Sequence, residues 1–197
     1  MSKGDATRTR IVRHALKTAS VDGLDGLSIG RLAGDLGLSK SGLFAHFRSK
    51  EGLQLQVLAY AEQGFIDQVV RPALRAPRGE PRVQALFDHW LARAVKVLAD
   101  RGGCVFVSAA TELDDQPGAL RDTLKESQTA WIGTLRRAAS IAVAEGHFRA
   151  DLDLDAFAFR LQSILLGAHF YGRLLRDPAT RALAQASFDA LLADARP

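Results

Sequence analysis

The sequence is poor in the features that mark secreted and membrane-spanning proteins. It has a single cysteine, Cys104, which excludes an internal disulfide and suits a reducing cytoplasm. Its longest apolar stretches, such as residues 163–170, fall far short of the roughly 18 residues that cross a bilayer. The N-terminus leads into a charged segment and not into the apolar region of a secretory signal. These absences predict a cytoplasmic protein without a membrane span.

Strict alternation of apolar and polar residues, which a half-buried strand requires, is also missing. Helical spacing prevails along the chain, and serine, glycine and proline residues divide it into segments. The pattern predicts an all-α fold of about nine helices. Their approximate ranges are 7–21, 28–36, 39–47, 50–70, 82–100, 104–111, 114–145, 151–174 and 177–193.

The positive charge is concentrated at the N-terminus. Residues 1–52 contain nine of the 26 lysines and arginines but only five of the 22 acidic residues. The remainder carries 17 residues of each sign, so the net charge of +4 belongs to the first quarter of the chain. A basic module on a neutral body predicts a polyanionic partner at that end. A solvated basic surface without a partner is the alternative.

Two short predicted helices meet at a tight turn within this basic segment. Gly37 and Leu38 form the turn, and Leu43 and Phe47 anchor the following helix inward. The outer face of that helix then carries only small or basic side chains, which allow close approach to base pairs in a major groove. These outer residues are Ser39, Lys40, Ser41, Gly42 and Ala45. The arrangement is typical of a helix-turn-helix.

A serine precedes each of three predicted helices, at Ser28, Ser39 and Ser49. Serine is a favoured N-cap, and a helix N-terminus can offer free N–H groups and its dipole to a phosphate. Lys40 and Lys50 directly follow two of these serines. The group therefore predicts contact with phosphates, although each serine alone is explained as a helix cap.

Residues 27–53 resemble the DNA-binding signature of TetR-family repressors. The shared pattern begins with a capped helix, followed by a small residue, a glycine, an apolar residue and a serine. An apolar residue, an aromatic residue and one variable position then precede His46 and Phe47, and the run from Ser49 to Glu51 completes the pattern. One difference is that the family commonly has tyrosine at the position of Phe44. The phenyl ring lacks the hydroxyl that could bind phosphate, so Phe44 is expected to pack or to touch a thymine methyl group.

The resemblance implies roles for individual residues of the signature. Ser28 would bind phosphate, and residues 39–42 would face base edges or phosphates. His46 and Lys50 would hold the DNA backbone, although a packed histidine that bridges two helices is an equal alternative for His46. The DNA-binding set predicted from the sequence is Ser28, Ser39, Lys40, Ser41, Gly42, Phe44, His46 and Lys50.

The resemblance also implies the organisation of the whole chain. Residues 1–52 would form the helix-turn-helix domain, and residues 53–197 would form a helical bundle that senses an effector and dimerises. The implied function is a homodimeric repressor, released from a palindromic operator in double-stranded DNA by a small-molecule effector. The residues expected at the dimer interface are Phe157, Leu161, Ile164, Leu165, Ala168 and Tyr171.

Six aromatic residues are candidates for the lining of an effector pocket: Tyr60, Phe65, Phe87, Trp90, Phe106 and Trp131. The alternative for each is ordinary core packing, because aromatic residues at helical spacing usually lie in a core.

Enzyme and metal-site interpretations find little support in the sequence. No nucleophile elbow, phosphate loop or paired metal-ligand histidines occur. The run Asp151, Asp153 and Asp155 resembles a calcium loop but has Ala156 and Gln162 where that loop needs glycine and glutamate. We therefore expect no catalytic activity, no metal and no cofactor. An interaction module that binds an acidic protein remains as the third class.

Overall fold

The computed structural model describes residues 3–99 and 102–197. In these ranges the chain forms nine α-helices of eight residues or more and no strand, which confirms the all-α prediction. None of the helices in the described part of the chain is both long and apolar enough to cross a membrane. The helices are α1 (Lys3–Asp22), α2 (Ile29–Leu36), α3 (Lys40–Phe47), α4 (Lys50–Phe65), α5 (Glu80–Ala99), α6 (Val105–Leu113), α7 (Ala119–Ala144), α8 (Leu154–Phe170) and α9 (Thr180–Ala195).

Two long helices change from α-helical to π-helical geometry near their ends, and the helical structure reaches the predicted ends near residues 70 and 174. The segment Ile66–Val70 follows α4 and leads into a single α-helical turn, Arg71–Ala73, that contains Pro72. Proline has no N–H group and cannot continue the regular hydrogen-bond ladder, which explains the change there. The segment Tyr171–Leu175 follows α8. The predicted end of the fifth helix at Asp100 lies outside the described residues.

Contacts divide the described residues into two compact units. The first unit runs from the N-terminal helix to Gly64 and includes residues 102–127; the second comprises residues 65–99 and 128–197. The first unit therefore extends past the predicted boundary between residues 52 and 53, and it contains α6. In this unit α1 packs against α2 and α6, and α2 packs against α3.

The loop after α1 is held by a carboxylate from α6. The backbone N–H groups of Leu24 and Asp25 donate to Glu112 Oε1 and Oε2 at 3.3 and 3.1 Å. Gly23 has φ +81°, and a Cβ there would lie 2.2 Å from Glu112 Oε1. Glycine suits this left-handed backbone and leaves room for the Glu112 carboxylate.

The same loop is held from its other side by α4. Gln54 is buried, and its Nε2 donates to the Leu24 carbonyl at 2.9 Å. Lys50 Nζ donates to the Asp25 carbonyl at 2.7 Å. Leu24 itself is 1% exposed. The loop backbone thus finds hydrogen-bond partners on two helices, which removes the penalty of burying unsatisfied polar groups.

The second unit is built on the pairing of α8 with α9, with α5 packed against α8. Phe87 of α5 stacks on Phe188 of α9 with ring centroids 4.0 Å apart. Phe148 and Phe157 lie together at 5.3 Å. These contacts form a continuous apolar core.

The acidic run before α8 includes the N-cap of that helix. Asp153 Oδ1 accepts from the N–H groups of Asp155 and Ala156 at 3.0 and 2.9 Å, so it caps the helix. The other two carboxylates pair with arginines, Asp151 with Arg149 at 2.9 Å and Asp155 with Arg136 at 2.7 Å. Within the described residues no three His, Cys, Asp or Glu side chains are grouped to hold a metal ion.

An ion pair joins the start of α5 to the end of α9. Arg196 Nε donates to Glu80 Oε2 at 3.0 Å, and a second guanidinium nitrogen donates to Oε1. This hydrogen-bonded arginine lowers the pKa of the Glu80 carboxyl below its ordinary value of 4.5. The C-terminal residues are therefore fixed to the rest of the second unit.

We expect Glu112→Ala to lower the free energy of unfolding by about 1–2 kcal/mol, because the Leu24 and Asp25 N–H groups would be left without a charged acceptor. Urea unfolding followed by circular dichroism measures this change. The control is Glu126→Ala, at an exposed glutamate in the first unit. Equal effects of the two substitutions would contradict the structural role of Glu112.

The Glu80–Arg196 pair should also contribute a pH-dependent part of the stability. A carboxyl whose pKa is lowered by folding stabilises the protein above its unfolded pKa, and this contribution disappears as the pH falls through the folded pKa. Glu80→Gln should therefore lower the melting temperature at neutral pH, and the difference from the native chain should shrink on acidification to about pH 3. A difference that stays constant over this range would rule out the ion pair as its cause.

Candidate nucleic-acid interface

The three predicted serine caps are confirmed by hydrogen bonds. In each case the serine Oγ accepts from the backbone N–H three residues later, which fixes the start of α2, α3 and α4. The bonds are Ser28 with Arg31 at 3.5 Å, Ser39 with Gly42 at 3.0 Å and Ser49 with Gly52 at 2.9 Å. These helix N-termini all belong to the first unit.

The turn between α2 and α3 follows the sequence prediction. Gly37 ends α2 with φ +65°, and its N–H bonds to the carbonyl of Gly34 at 3.2 Å. Leu43 and Phe47 are 0% and 5% exposed, so they anchor α3 inward as expected. The turn and the two anchors together set the orientation of α3 against α2.

The outer face of α3 is exposed and contiguous with the start of α2. A shallow depression brings together four of the predicted residues, Ser28, Lys40, Ser41 and Phe44, with small or apolar neighbours. Its lining is Ser28, Ile29, Gly30, Lys40, Ser41, Phe44 and Ala45. A Cβ at Gly30 would lie 3.1 Å from Lys40 Cε, so the lysine stem lies close to the first turn of α2. Gly42 is also exposed, next to the Ser39 hydroxyl.

The other two predicted residues have partners inside the protein. Lys50 Nζ contacts the Asp25 carbonyl, and it lies 3.7 Å from the Asp25 carboxylate. His46 is partly buried, with its ring centroid 6.1 Å from that of Phe47. The packing of His46 favours the alternative of a structural histidine. Lys50 has a structural partner that the local sequence pattern did not indicate.

Arginines add positive charge around these helices. The Arg8 guanidinium lies 5.6 Å from the centre of the Phe47 ring, a cation–π contact that places it beside α3. Arg48 is exposed and ends α3 with φ +64°, an uncommon backbone conformation for a residue other than glycine. Its N–H bonds to the Phe44 carbonyl at 2.7 Å. This sharp reversal brings Ser49 into position as the cap of α4.

The aromatic residues predicted for an effector pocket fall into both units. Tyr60 and Phe106 belong to the first unit, and the other four belong to the second. Phe65 packs edge-on against Trp131 at 4.9 Å, and Trp131 Nε1 donates to Gln162 Oε1 at 2.9 Å. Phe87 is 0% exposed and stacked on Phe188, which is core packing. Trp90 is also buried in this core.

The structure corrects part of the predicted dimer interface. Phe157, Leu161 and Leu165 are at most 2% exposed, so they pack within their own chain and have no surface for a partner. The prediction missed that these residues occupy the inner face of α8. The apolar residues of the outer face and of the helix end are Phe159, Leu166, Phe170, Tyr171, Leu174 and Leu175.

The remaining three predicted interface residues line an open groove between α8 and α9. Ile164, Ala168 and Tyr171 contribute to it from the side of α8. Leu183, Ala184 and Ser187 contribute from α9, and the groove has a volume of about 450 Å³.

Comparisons with known proteins agree on both parts of the chain. Residues 11–57 match the family described as bacterial regulatory proteins, tetR family. Residues 79–188 match the tetracyclin repressor-like C-terminal domain. No match was found among curated protein sequences.

Solved structures extend the similarity to the whole chain. A TetR transcriptional regulator from Chloroflexus aurantiacus J-10-FL has 26% identity and a TM-score of 0.86, covering 98% of this chain and 96% of its own. A TetR-family regulator from Cytophaga hutchinsonii has 24% identity and a TM-score of 0.81, over 100% and 98%. The complex of AibR with isovaleryl coenzyme A and operator DNA has 21% identity and a TM-score of 0.70, over 92% and 98%. The chain therefore belongs to the TetR family of DNA-binding transcriptional regulators.

Proposed function

We propose that this regulator is a cytoplasmic, homodimeric repressor that binds a palindromic operator through α2 and α3 and leaves it when a small-molecule effector binds. The observation that carries the proposal is the outer face of α3. It combines exposed small and cationic side chains and the exposed Phe44 ring with a buried anchor formed by Leu43 and Phe47. The major groove, about 12 Å wide, admits an α-helix.

The proposed DNA contacts divide into two classes. Lys40 and Ser41, on the exposed face of α3, contact base edges in the major groove. Ser28 and Ser39 lie at helix starts, where the N–H groups and the helix dipole attract phosphates. Arg8, beside Phe47, extends the positive surface toward the DNA backbone. The first class supplies sequence preference, and the second fixes the position of the protein on DNA.

A second copy of the chain covers the apolar surface of α8 and α9 in this proposal. Phe159, Leu166, Phe170 and Leu174 follow one another at intervals of seven or four residues, which places them along one side of the helix and its π-helical extension. Each is between 41% and 73% exposed in a single chain. Such a contiguous apolar surface is typical of an oligomer interface. A two-fold dimer would place two reading helices on successive half-sites about 34–36 Å apart.

The effector, in this proposal, binds to the second unit. Phe65 and Trp131 there form an edge-on aromatic pair, and the Trp131 indole N–H is bonded to Gln162, so aromatic and polar groups lie together. AibR was solved with isovaleryl coenzyme A and operator DNA together. An effector that binds more tightly to a dimer with another spacing of the two reading helices would shift the population of dimers toward that conformation. A dimer with this spacing no longer fits the operator and releases it. α4 is suited to transmit this change, because it contains Gln54 and Lys50, which hold the loop of residues 23–25.

We expect the double substitution Lys40→Ala, Ser41→Ala to weaken operator binding by about 30-fold or more, since each side chain that recognises a base edge is worth roughly 1–3 kcal/mol and the variant removes two of them. Fluorescence anisotropy with DNA selected from random duplexes measures the dissociation constant. The matched control, Lys125→Ala with Ser127→Ala, removes the same residue types from α7. Binding that weakens equally in both variants, or in neither, would contradict the assigned role of α3.

The dimer proposal has its own test. Phe170→Glu should convert a dimer into a monomer at micromolar concentration, because a charge would be buried at the interface. The control Leu74→Glu alters a side chain with the same 51% exposure elsewhere in the second unit. Analytical ultracentrifugation distinguishes the two states. A Phe170→Glu variant that stays dimeric would exclude this face.

A further inference from the structure

We propose that Phe44 makes the regulator selective for thymine, by contact with the 5-methyl group that thymine presents in the major groove. The inference rests on the proposed operator binding and specifies one feature of the operator. Each half-site would contain a thymine whose methyl group is covered by the Phe44 ring.

Phe44 is exposed although it is a large apolar residue. Its side chain is 52% exposed, whereas Phe47, almost one turn later on the same short helix, is 5% exposed. The core of the first unit is completed by Leu43 and Phe47, so it does not require the Phe44 ring. Because the ring lies on the face of α3 that presents Lys40 and Ser41, it is placed to make an apolar contact when this face binds DNA.

The ring shares a depression with both apolar and cationic neighbours. Phe44 lines the shallow depression described above together with Ile29, Gly30 and Ala45. Lys40 and Ser41 line the same depression. A small apolar group fits this surface, and the lysine supplies the charge that favours DNA as the molecule carrying the group.

The chemistry of the base pairs selects the thymine methyl group. A phenyl ring neither donates nor accepts a conventional hydrogen bond, so it cannot distinguish amino, carbonyl or ring-nitrogen groups. Of the features exposed in the major groove, the thymine methyl group is the one that apolar side chains contact. The alternative is packing of Phe44 against a deoxyribose, which would be insensitive to base identity.

The position on the helix restricts where the thymine lies. Phe44 follows Lys40 by four residues, or about 6 Å along the axis of an α-helix. Successive base pairs are about 3.4 Å apart. The thymine is therefore expected within about two base pairs of the base that Lys40 contacts.

The test uses the native chain and the duplex with the highest affinity from a selection among random sequences. Each thymine in turn is replaced by deoxyuridine, which removes only the methyl group and leaves base pairing unchanged. At one symmetric position, we expect affinity to fall about fourfold for each methyl group removed, and about 15-fold when both half-sites are altered, because burying one such group has this effect. Replacing that T·A pair by 5-methylcytosine·G, which keeps a methyl group in the same place, should bind more tightly than unmethylated C·G.

Two variants assign the effect to the residue. Phe44→Ala should bind the thymine and deoxyuridine duplexes equally, whereas Phe44→Leu, which keeps an apolar side chain, should retain a preference for thymine. Both substitutions alter a half-exposed side chain, and thermal unfolding measures whether the fold is preserved. A Phe44→Ala variant that is folded and keeps the full native preference would overturn the proposal.

Two further outcomes distinguish failure of the thymine contact from failure of operator binding. If the native protein binds a selected duplex tightly but is indifferent to every deoxyuridine replacement, the thymine contact is wrong and operator binding stands. If the selection yields no duplex that binds specifically, operator binding and the thymine contact both fail.

Discussion

The first unit depends on how the loop between α1 and α2 satisfies its backbone. Leu24 and Asp25 donate to Glu112, Leu24 accepts from Gln54, and Asp25 accepts from Lys50. A loop that buries Leu24 would otherwise leave polar groups without partners near the core. The same four bonds connect α4 and α6 to the loop that precedes α2. The orientation of α2, and through it that of α3, thus depends on residues distant in sequence.

The short helix α3 combines two functions on opposite faces. Leu43 and Phe47 bury its inner side, while Lys40, Ser41 and Phe44 remain exposed on the other. The eight residues are too few for a stable isolated helix, so α3 relies on this burial and on its serine cap. Its rigidity therefore comes from tertiary packing, which lets the outer side chains be selected for chemistry and not for helix stability.

Features of the first unit that depend on residues close together in the chain could be predicted from the sequence. The serine caps, the glycine turn and the inward position of Leu43 and Phe47 each follow from residues close together in the chain. The carboxylate of Glu112, 88 residues from Leu24, could not be predicted in this way, because only the fold brings it to the loop. The interface on α8 was misassigned in part for a related reason. That helix is apolar on more than one side, and only its contacts with α9 show that Leu161 and Leu165 face inward.

The backbone conformation at Arg48 lowers stability but places a positive charge beside α3. Its φ of +64° lies where glycine is favoured, and a non-glycine residue held in such a sparsely populated conformation costs about 1 kcal/mol or more. The chain nevertheless has an exposed arginine at this position, so the fold carries local strain in return for one cation next to the reading helix. Glycine at residue 48 would relax the reversal between α3 and α4 and would remove that charge. Engineering a more robust regulator at this point would therefore tend to weaken its attraction to polyanions.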